Sequence, residues 1–393
     1  MLNLLASLAL ALPLPVDAPT SAVPSSTGPI HRAAAPPADT TRDDLKVGWK
    51  GKDLPLDEVE GELGAKAAAA VTTWAPFAQE VECGMHLSAD GRVLLLTRSE
   101  RSKLSKELDL VEETIAFVDA MLPAAGEDGE ATGESPTTGG TTPSGAPRMP
   151  DPTDDETVVL VQARDVKVYG KVLDRLKETE EYLGGWIPTA RRLAGFVITK
   201  PLCASWIELL DGQEEWDIRN ELVHRLTHLL VARRFGELPY WLQLGIAWHV
   251  EEDLLNGVYC FPYRTEFVYA SEHNSWPADL AKMFRGKPDP FFGALVGWER
   301  GTYSGDKARE AFGFARFLAL HHHDEFGPIL RDLFDLRATK GVKGTAQSWK
   351  LIPGFEPSEE DQAAVFAKHL GDDFLDELVE YYRKGKRYKP ARK

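Results

Sequence analysis

One segment of the chain constrains the fold more than any other, because it places two helical patterns in direct succession. It spans residues 220–252 and reads NELVHRLTHLLVARRFGELPYWLQLGIAWHVEE. The first pattern predicts a helix from Trp216 to Phe235, and the second predicts a helix at 238–255 with Pro239 in its first turn. The first helix has two separate faces at 100° per residue. The apolar face contains Leu222, Leu226, Leu229 and Leu230, and the polar stripe contains Glu221, His224, Arg225 and His228.

The polar stripe has the spacing of a metal site. His224 and His228 are four residues apart, so they lie on one helical face and can offer a metal ion two nitrogens. Glu221 adds an ExxH pair with His224, a spacing that gives one metal two ligands in helical bundles. The alternative is a polar face without metal, in which Glu221 and Arg225 form an i,i+4 ion pair and the histidines are hydrogen-bonded.

The context of these histidines resembles the active-site region of the peptidase MA-like gluzincins, a family of zincin metallopeptidases. The family pattern is HExxH, a helix end near FG, and then LPxWLxEGxAxYxE. The later segment 306–334 is similar to the helix pair that follows in that family, so the resemblance covers 220–334 with gaps and implies a zincin-type fold. The residues that match the pattern are His224, His228, Phe235, Gly236, Leu238, Pro239, Trp241, Leu242, Gly245, Ala247 and Glu251.

The departures from the family pattern fall on its chemistry. The resemblance implies zinc bound by two histidines and the glutamate of the EG step, with the glutamate of HExxH as general base. Here Arg225 stands at the base position and Leu244 at the position of the third ligand. Glu251 lies about 10 Å further along the helix than Leu244, which is beyond the reach of its side chain. His249 points about 140° away from Leu244, so it is a poor substitute as well.

A rearranged ligand set is the alternative to a degenerate site. Glu221, His224 and His228 lie on one helix, whereas a catalytic zinc site draws three well-oriented ligands and keeps one position open. A bound metal would still lack its base, and the loss of a general base costs about 10²–10⁴ in rate. Arginine cannot take the role, because it stays protonated at neutral pH.

The sequence therefore favours an exported, catalytically degenerate metallopeptidase-like protein, without an assigned catalytic residue and with no cofactor or a zinc ion. We expect a peptide or protein partner in the former cleft. Two alternatives stay open, which are an active zinc hydrolase with the ligands Glu221, His224 and His228, and a cell-envelope scaffold protein. The residues predicted to line the cleft are Trp241, Leu244, His249, Glu251 and Arg264.

The N-terminus predicts export. The apolar run from Leu2 to Val16 is too short to span a bilayer comfortably, and small residues follow it, as in a signal peptide. We therefore expect a periplasmic, extracellular or envelope protein without a transmembrane span. An early start codon, or an apolar N-terminus that is not processed, is the alternative.

Charge and cysteine content exclude some classes of protein. The formal net charge of −16 argues against nucleic acid as a partner, because phosphate binding needs a basic surface. The tail at 383–393 is basic, and we interpret it as a solvated terminus. Cys83, Cys203 and Cys260 are widely spaced, which is neither a disulfide framework nor a zinc-finger pattern.

The order of the elements predicts an α+β fold. In it, a small mixed or antiparallel sheet packs on an active-site-type helix, and the C-terminal part is mainly helical. A hairpin is predicted at 85–97 around Asp90-Gly91, and strands are predicted at 157–163, 193–199 and 202–210. The predicted divisions are a signal peptide at 1–22, a disordered Pro/Ala-rich leader at 23–59, an α/β segment at 60–122, a low-complexity linker at 123–156, a zincin-like domain at 157–340, C-terminal helices at 341–382 and the basic tail at 383–393.

Overall fold

The computed structural model describes residues 46–123, 148–152, 154–208, 218–261, 276–286, 291–345, 348–352 and 354–385. The predicted signal peptide, the leader up to residue 45, Arg264 and most of the basic tail lie outside the described residues.

The sheet contains seven strands in the order β2-β1-β3-β4-β5-β7-β6, and β8 and β9 form a separate hairpin. The strands β4, β5 and β7 are parallel to one another, whereas β3 and β6 run antiparallel beside them. The three parallel strands are buried along their whole length, as expected for strands covered on both faces. The strands are β1 (Lys46–Trp49), β2 (Lys52–Pro55), β3 (Gly84–Leu87), β4 (Val93–Thr97), β5 (Val158–Ala163), β6 (Gly195–Thr199), β7 (Leu202–Ile207), β8 (Val342–Thr345) and β9 (Ser348–Leu351).

The helices enclose the sheet and dominate the C-terminal half of the chain. They are α1 (Leu56–Glu80), α2 (Arg101–Met121), α3 (Val166–Thr179), α4 (Ile187–Ala190), α5 (Ile218–Phe235), α6 (Tyr240–Leu255), α7 (Trp276–Gly286), α8 (Phe291–Val296), α9 (Gly305–His321), α10 (His323–Lys340), α11 (Glu359–Leu370) and α12 (Phe374–Lys384). No helix among the described residues is both long enough and apolar enough to cross a membrane.

The period-two alternation of β4 divides the core into two layers. Leu94 and Leu96 point to one face of the sheet and pack in a cluster with α1 and α3. Val93 and Leu95 point to the other face, where α2 and α5 cover the sheet and the remaining long helices extend the same cluster. Helix α5 therefore lies between the sheet and the helical half, which explains why its polar stripe is enclosed.

The α+β class, the mixed sheet and the helical C-terminal part are confirmed. The hairpin around Gly91 is confirmed too, with β3 and β4 antiparallel and Gly91 at a φ of 75°. The sheet is larger than expected, since residues 46–59, assigned to the leader, form β1, β2 and the start of α1. The local pattern is weak there because both strands are short and partly polar, and β1 depends on parallel pairing with β3.

The divisions drawn from the sequence also differ from the structure. The segments 60–122 and 157–340 share one sheet, because β4 pairs in parallel with β5. The segment 341–382 begins with the β8–β9 hairpin before its two helices. A low-complexity stretch between β4 and β5 suggested a boundary, although composition carries no information about which strands pair.

Helices α6 and α9 cross at Gly245. A Cβ atom at this position would lie 2.7 Å from the carbonyl carbon of Ala311 and would overlap its carbonyl oxygen. Because backbone atoms cannot move aside as a flexible side chain can, the close crossing requires glycine.

We expect Gly245→Ala to lower the free energy of unfolding by about 1–3 kcal/mol, because the two helices must separate. Gly61→Ala is the matched control, since a Cβ at Gly61 in α1 meets no atom within 4 Å and alanine favours the helix by about 1 kcal/mol. Urea unfolding of both variants measures the difference. Equal effects would contradict the close crossing.

Candidate functional site

The polar stripe of α5 is buried together with its apolar face. His224 and Glu221 are each 1% exposed and Arg225 is 5% exposed, although such side chains normally reach solvent. Their polar atoms must therefore find partners inside the protein. Some of these partners lie on α5 itself, and Glu251 of helix α6 supplies another.

His224 is bonded at both of its ring nitrogens. Its Nδ1 lies 2.5 Å from Oε1 of Glu251 in α6, and its Nε2 lies 3.1 Å from Nε2 of His228. Burial and the nearby Arg225 guanidinium lower the pKa of His224 to about 3, so the imidazole is neutral. In a neutral imidazole one nitrogen donates and the other accepts, which fits a ring held between a carboxyl group and a second histidine.

Glu251 joins the two helices to the loop after α6. Its Oε2 accepts hydrogen bonds from Nδ2 of Asn220 at 2.7 Å and from the backbone N–H groups of Tyr259 and Cys260 at 3.0 and 3.2 Å. Burial raises the pKa of this carboxyl group to about 8, against the effect of these three donors. Asn220 also donates to the carbonyl of Gly257, so one cluster of bonds fixes the start of α5 and the end of α6.

Arg225 forms a buried ion pair with Glu221. Its Nε donates to Oε2 of Glu221 at 2.6 Å and a terminal nitrogen lies 2.5 Å from the same oxygen. Burial opposes the charged guanidinium, but Glu221 outweighs this and the pKa of Arg225 is raised. The guanidinium fills the space beside Gly195 of β6, where a Cβ would lie 2.6 Å from its central carbon.

His228 is half-buried, unlike its neighbours in the stripe. Burial, His224 and Arg225 together hold the pKa of His228 well below its usual value, and its side chain is hydrogen-bonded to Gln243. The two Nε2 atoms of the histidine pair therefore face each other at hydrogen-bond distance, and one of them donates to the other.

The predicted ligand set is only partly brought together. Among the described residues, the group whose potential ligand atoms all lie within 4.8 Å of one another is His224, Glu251 and Cys260. His228 contacts His224 through Nε2, and Glu221 is engaged by Arg225. Whether a metal binds Glu221, His224 and His228 stays a prediction.

The residues predicted to line a cleft are mostly core residues. Trp241, Leu244, His249 and Glu251 are at most 3% exposed, and Arg264 lies outside the described residues. Trp241 donates its Nε1 to Oε1 of Gln362 at 3.0 Å. These side chains stabilise the helical half and do not present an open surface.

The prediction that the side chain of Glu251 lies too far along α6 to take part in the site is wrong. That estimate measured the distance along α6 from Leu244, whereas α6 crosses α5 so that Glu251 contacts His224 directly. Asn220 and Cys260 were not recognised as parts of the site at all. Their only sequence signal was an asparagine one residue before Glu221 and a cysteine nine residues after Glu251.

His249 provides a test of the buried histidines. Burial lowers its pKa to about 4, so the unfolded chain binds a proton between pH 4 and 6.5 that the folded protein does not. The stability that depends on a neutral His249 is therefore complete above pH 6.5 and is lost as the pH falls towards 4. His249→Phe should reduce the pH slope of the unfolding free energy in that range by up to about 1.4 kcal/mol per pH unit. Urea titrations measure the slope, and an unchanged slope would show that His249 is not neutral in the fold.

Comparison with known proteins adds no family assignment. No protein-family model matches the chain, and no curated protein matches it. The site is therefore defined by the geometry of its own residues.

Proposed function

We propose that the chain is a zincin-like protein that does not hydrolyse peptides and acts by binding an extended peptide segment of a partner. The observation that carries the first half is Arg225 at the position of the general base, buried and paired with Glu221. A general base must accept a proton in the transition state, and a guanidinium held beside a carboxylate cannot do so. Leu244, at the position of the third ligand, is buried and apolar.

The outer edge of β6 supports the second half of the proposal. Strand β6 ends the described sheet and pairs with β7. The N–H of Ile207 bonds to the carbonyl of Ala194, and bonded and non-bonded pairs alternate in an antiparallel ladder. The N–H and C=O groups of Gly195, Val197 and Thr199 therefore point away from β7. An extended peptide can add to such an edge as a further strand.

The location of the partner follows from the predicted export signal, which is the basis for proposing a periplasmic, extracellular or envelope protein. The scaffold alternative lacks a peptide ligand.

The hydrolase alternative is favoured by one observation, the 3.1 Å approach of the two Nε2 atoms of His224 and His228. Those nitrogens would hold a zinc ion, and the zinc would supply Lewis-acid activation of a water molecule.

The first test is hydrolysis. We expect the purified full chain, supplied with zinc, to cleave a mixed peptide library no faster than the same protein treated with a chelator. The reason is that Arg225 occupies the position of the general base and Leu244 occupies the position of the carboxylate that would be the third ligand. Mass spectrometry of the library detects cleavage. Zinc-dependent cleavage that is lost in His228→Ala would establish the hydrolase alternative instead.

The second test is peptide binding at β6. Val197→Pro removes one outward N–H and should weaken the affinity for peptides selected from a displayed library by about tenfold, the equivalent of one hydrogen bond of about 1.4 kcal/mol. Val197→Thr retains both the N–H and a β-branched side chain, so its affinity should match that of the native protein. Fluorescence anisotropy measures binding, and circular dichroism verifies that both variants fold. Equal affinities of the two variants would show that the peptide binds elsewhere. If the library yields no binding peptide, that result favours the scaffold alternative.

A further inference from the structure

Three side chains with different ligand chemistry converge in the core where α5, α6 and the loop after α6 meet. They are His224, Glu251 and Cys260, each at most 1% exposed, and their ligand atoms lie within 4.8 Å of one another. We propose that these residues form a structural site for a thiophilic divalent cation of the zinc class, which uses Nδ1 of His224 and does not include His228. Imidazole, carboxylate and thiolate are all ligands that zinc accepts.

The geometry of the cluster needs only small movements to hold the ion. Zinc bonds of about 2.0–2.1 Å to nitrogen and about 2.0–2.2 Å to oxygen, at a tetrahedral angle, place those two ligand atoms about 3.3–3.5 Å apart. Nδ1 of His224 and Oε1 of Glu251 are 2.5 Å apart, so an ion between them would separate them by about 0.8–1.0 Å and replace their hydrogen bond. The Sγ atom of Cys260 lies within 4.8 Å of the other ligand atoms, and a zinc–sulfur bond of about 2.3 Å would place it about 3.5–3.7 Å from them.

The charges of the site balance. A divalent cation with one thiolate, one carboxylate and a neutral imidazole carries no net charge, which suits a site without solvent contact. Cys260 and Glu251 each give up a proton on binding, and both protons leave to solvent. The neighbouring ion pair of Arg225 and Glu221 is also neutral overall. The ion therefore adds no uncompensated charge to the core.

The surroundings of Glu251 resemble those of an oriented metal ligand. Three donors, from Asn220, Tyr259 and Cys260, occupy its Oε2 and leave Oε1 directed at His224. Such outer hydrogen bonds fix the orientation of ligands in metal sites. The side-chain oxygen of Asn220 is buried and has no hydrogen-bond partner among the described residues. Because it belongs to the amide group that contacts Glu251, it is the candidate for a fourth ligand.

The site would stabilise the fold and would not catalyse a reaction. Three of its donors are fully enclosed, as in structural zinc sites that lack an open position. The ion would connect α5, α6 and the loop at 256–261 in one place. Because no ligand reaches solvent, the ion would enter while the chain folds, and its binding energy would count as folding energy.

Cobalt refolding tests the proposal. The full chain, unfolded with chelator and refolded with Co²⁺ alone, should take up about one equivalent and show a near-ultraviolet sulfur-to-cobalt charge-transfer band. Cys260→Ser should lose the band and weaken cobalt affinity by more than about tenfold. Cys203→Ser is the matched control, because Cys203 is equally buried, in β7, and should keep the band. His228→Ala should keep it as well.

A second variant tests the site in a way that does not depend on whether Cys260→Ser folds. The double variant Cys83→Ser/Cys203→Ser keeps Cys260 as the one thiol of the chain, and its band should equal that of the native protein. Absence of the band in this variant overturns the site. Cobalt uptake that survives Cys260→Ser but is lost in His228→Ala assigns the ion to the histidine pair, and absence of uptake also overturns the proposal. Peptide cleavage is a separate readout, so failure of this site leaves the proposed function untouched.

Discussion

The enclosure of α5 on nearly every side is the constraint on which the rest of the site depends. A buried carboxyl, imidazole or guanidinium group costs several kcal/mol unless it is paired within the protein. Each polar side chain of the stripe meets this demand differently, since Glu221 pairs with Arg225, His224 bonds to Glu251, and Asn220 secures Glu251. The contacts between α5 and α6 are thus set by polar pairing as well as by apolar packing.

The parts of the fold that sequence predicts well are those with a strong local pattern. The buried runs of β5 and β7, the Gly91 turn and the helices α5 and α6 have continuous apolar stretches or specific turn residues. Strands β1 and β2 have neither, because their stability comes from pairing with residues distant in sequence. A local pattern cannot report such pairing.

Sequence periodicity predicts which site residues share a face of α5, but it does not predict which residues of other elements contact them. Helical periodicity correctly placed Glu221, His224, Arg225 and His228 on one stripe of α5, and the Glu221–Arg225 pair followed from its spacing. The partner of His224 did not follow, because Glu251 reaches it through the crossing of two helices. The position of α6 also depends on Gly245 and the backbone of Ala311, where α6 contacts α9, and both residues lie outside the stripe.

The space beside Gly195 connects a position in the sheet to a position on helix α5. The guanidinium of Arg225 occupies the volume where a side chain of Gly195 would stand. A Cβ at position 195 would also lie 2.7 Å from the backbone oxygen of Ser205, so this position requires glycine whether or not the arginine is present. Replacement of Arg225 by a smaller residue would therefore leave a void beside β6 that no side chain at position 195 could fill.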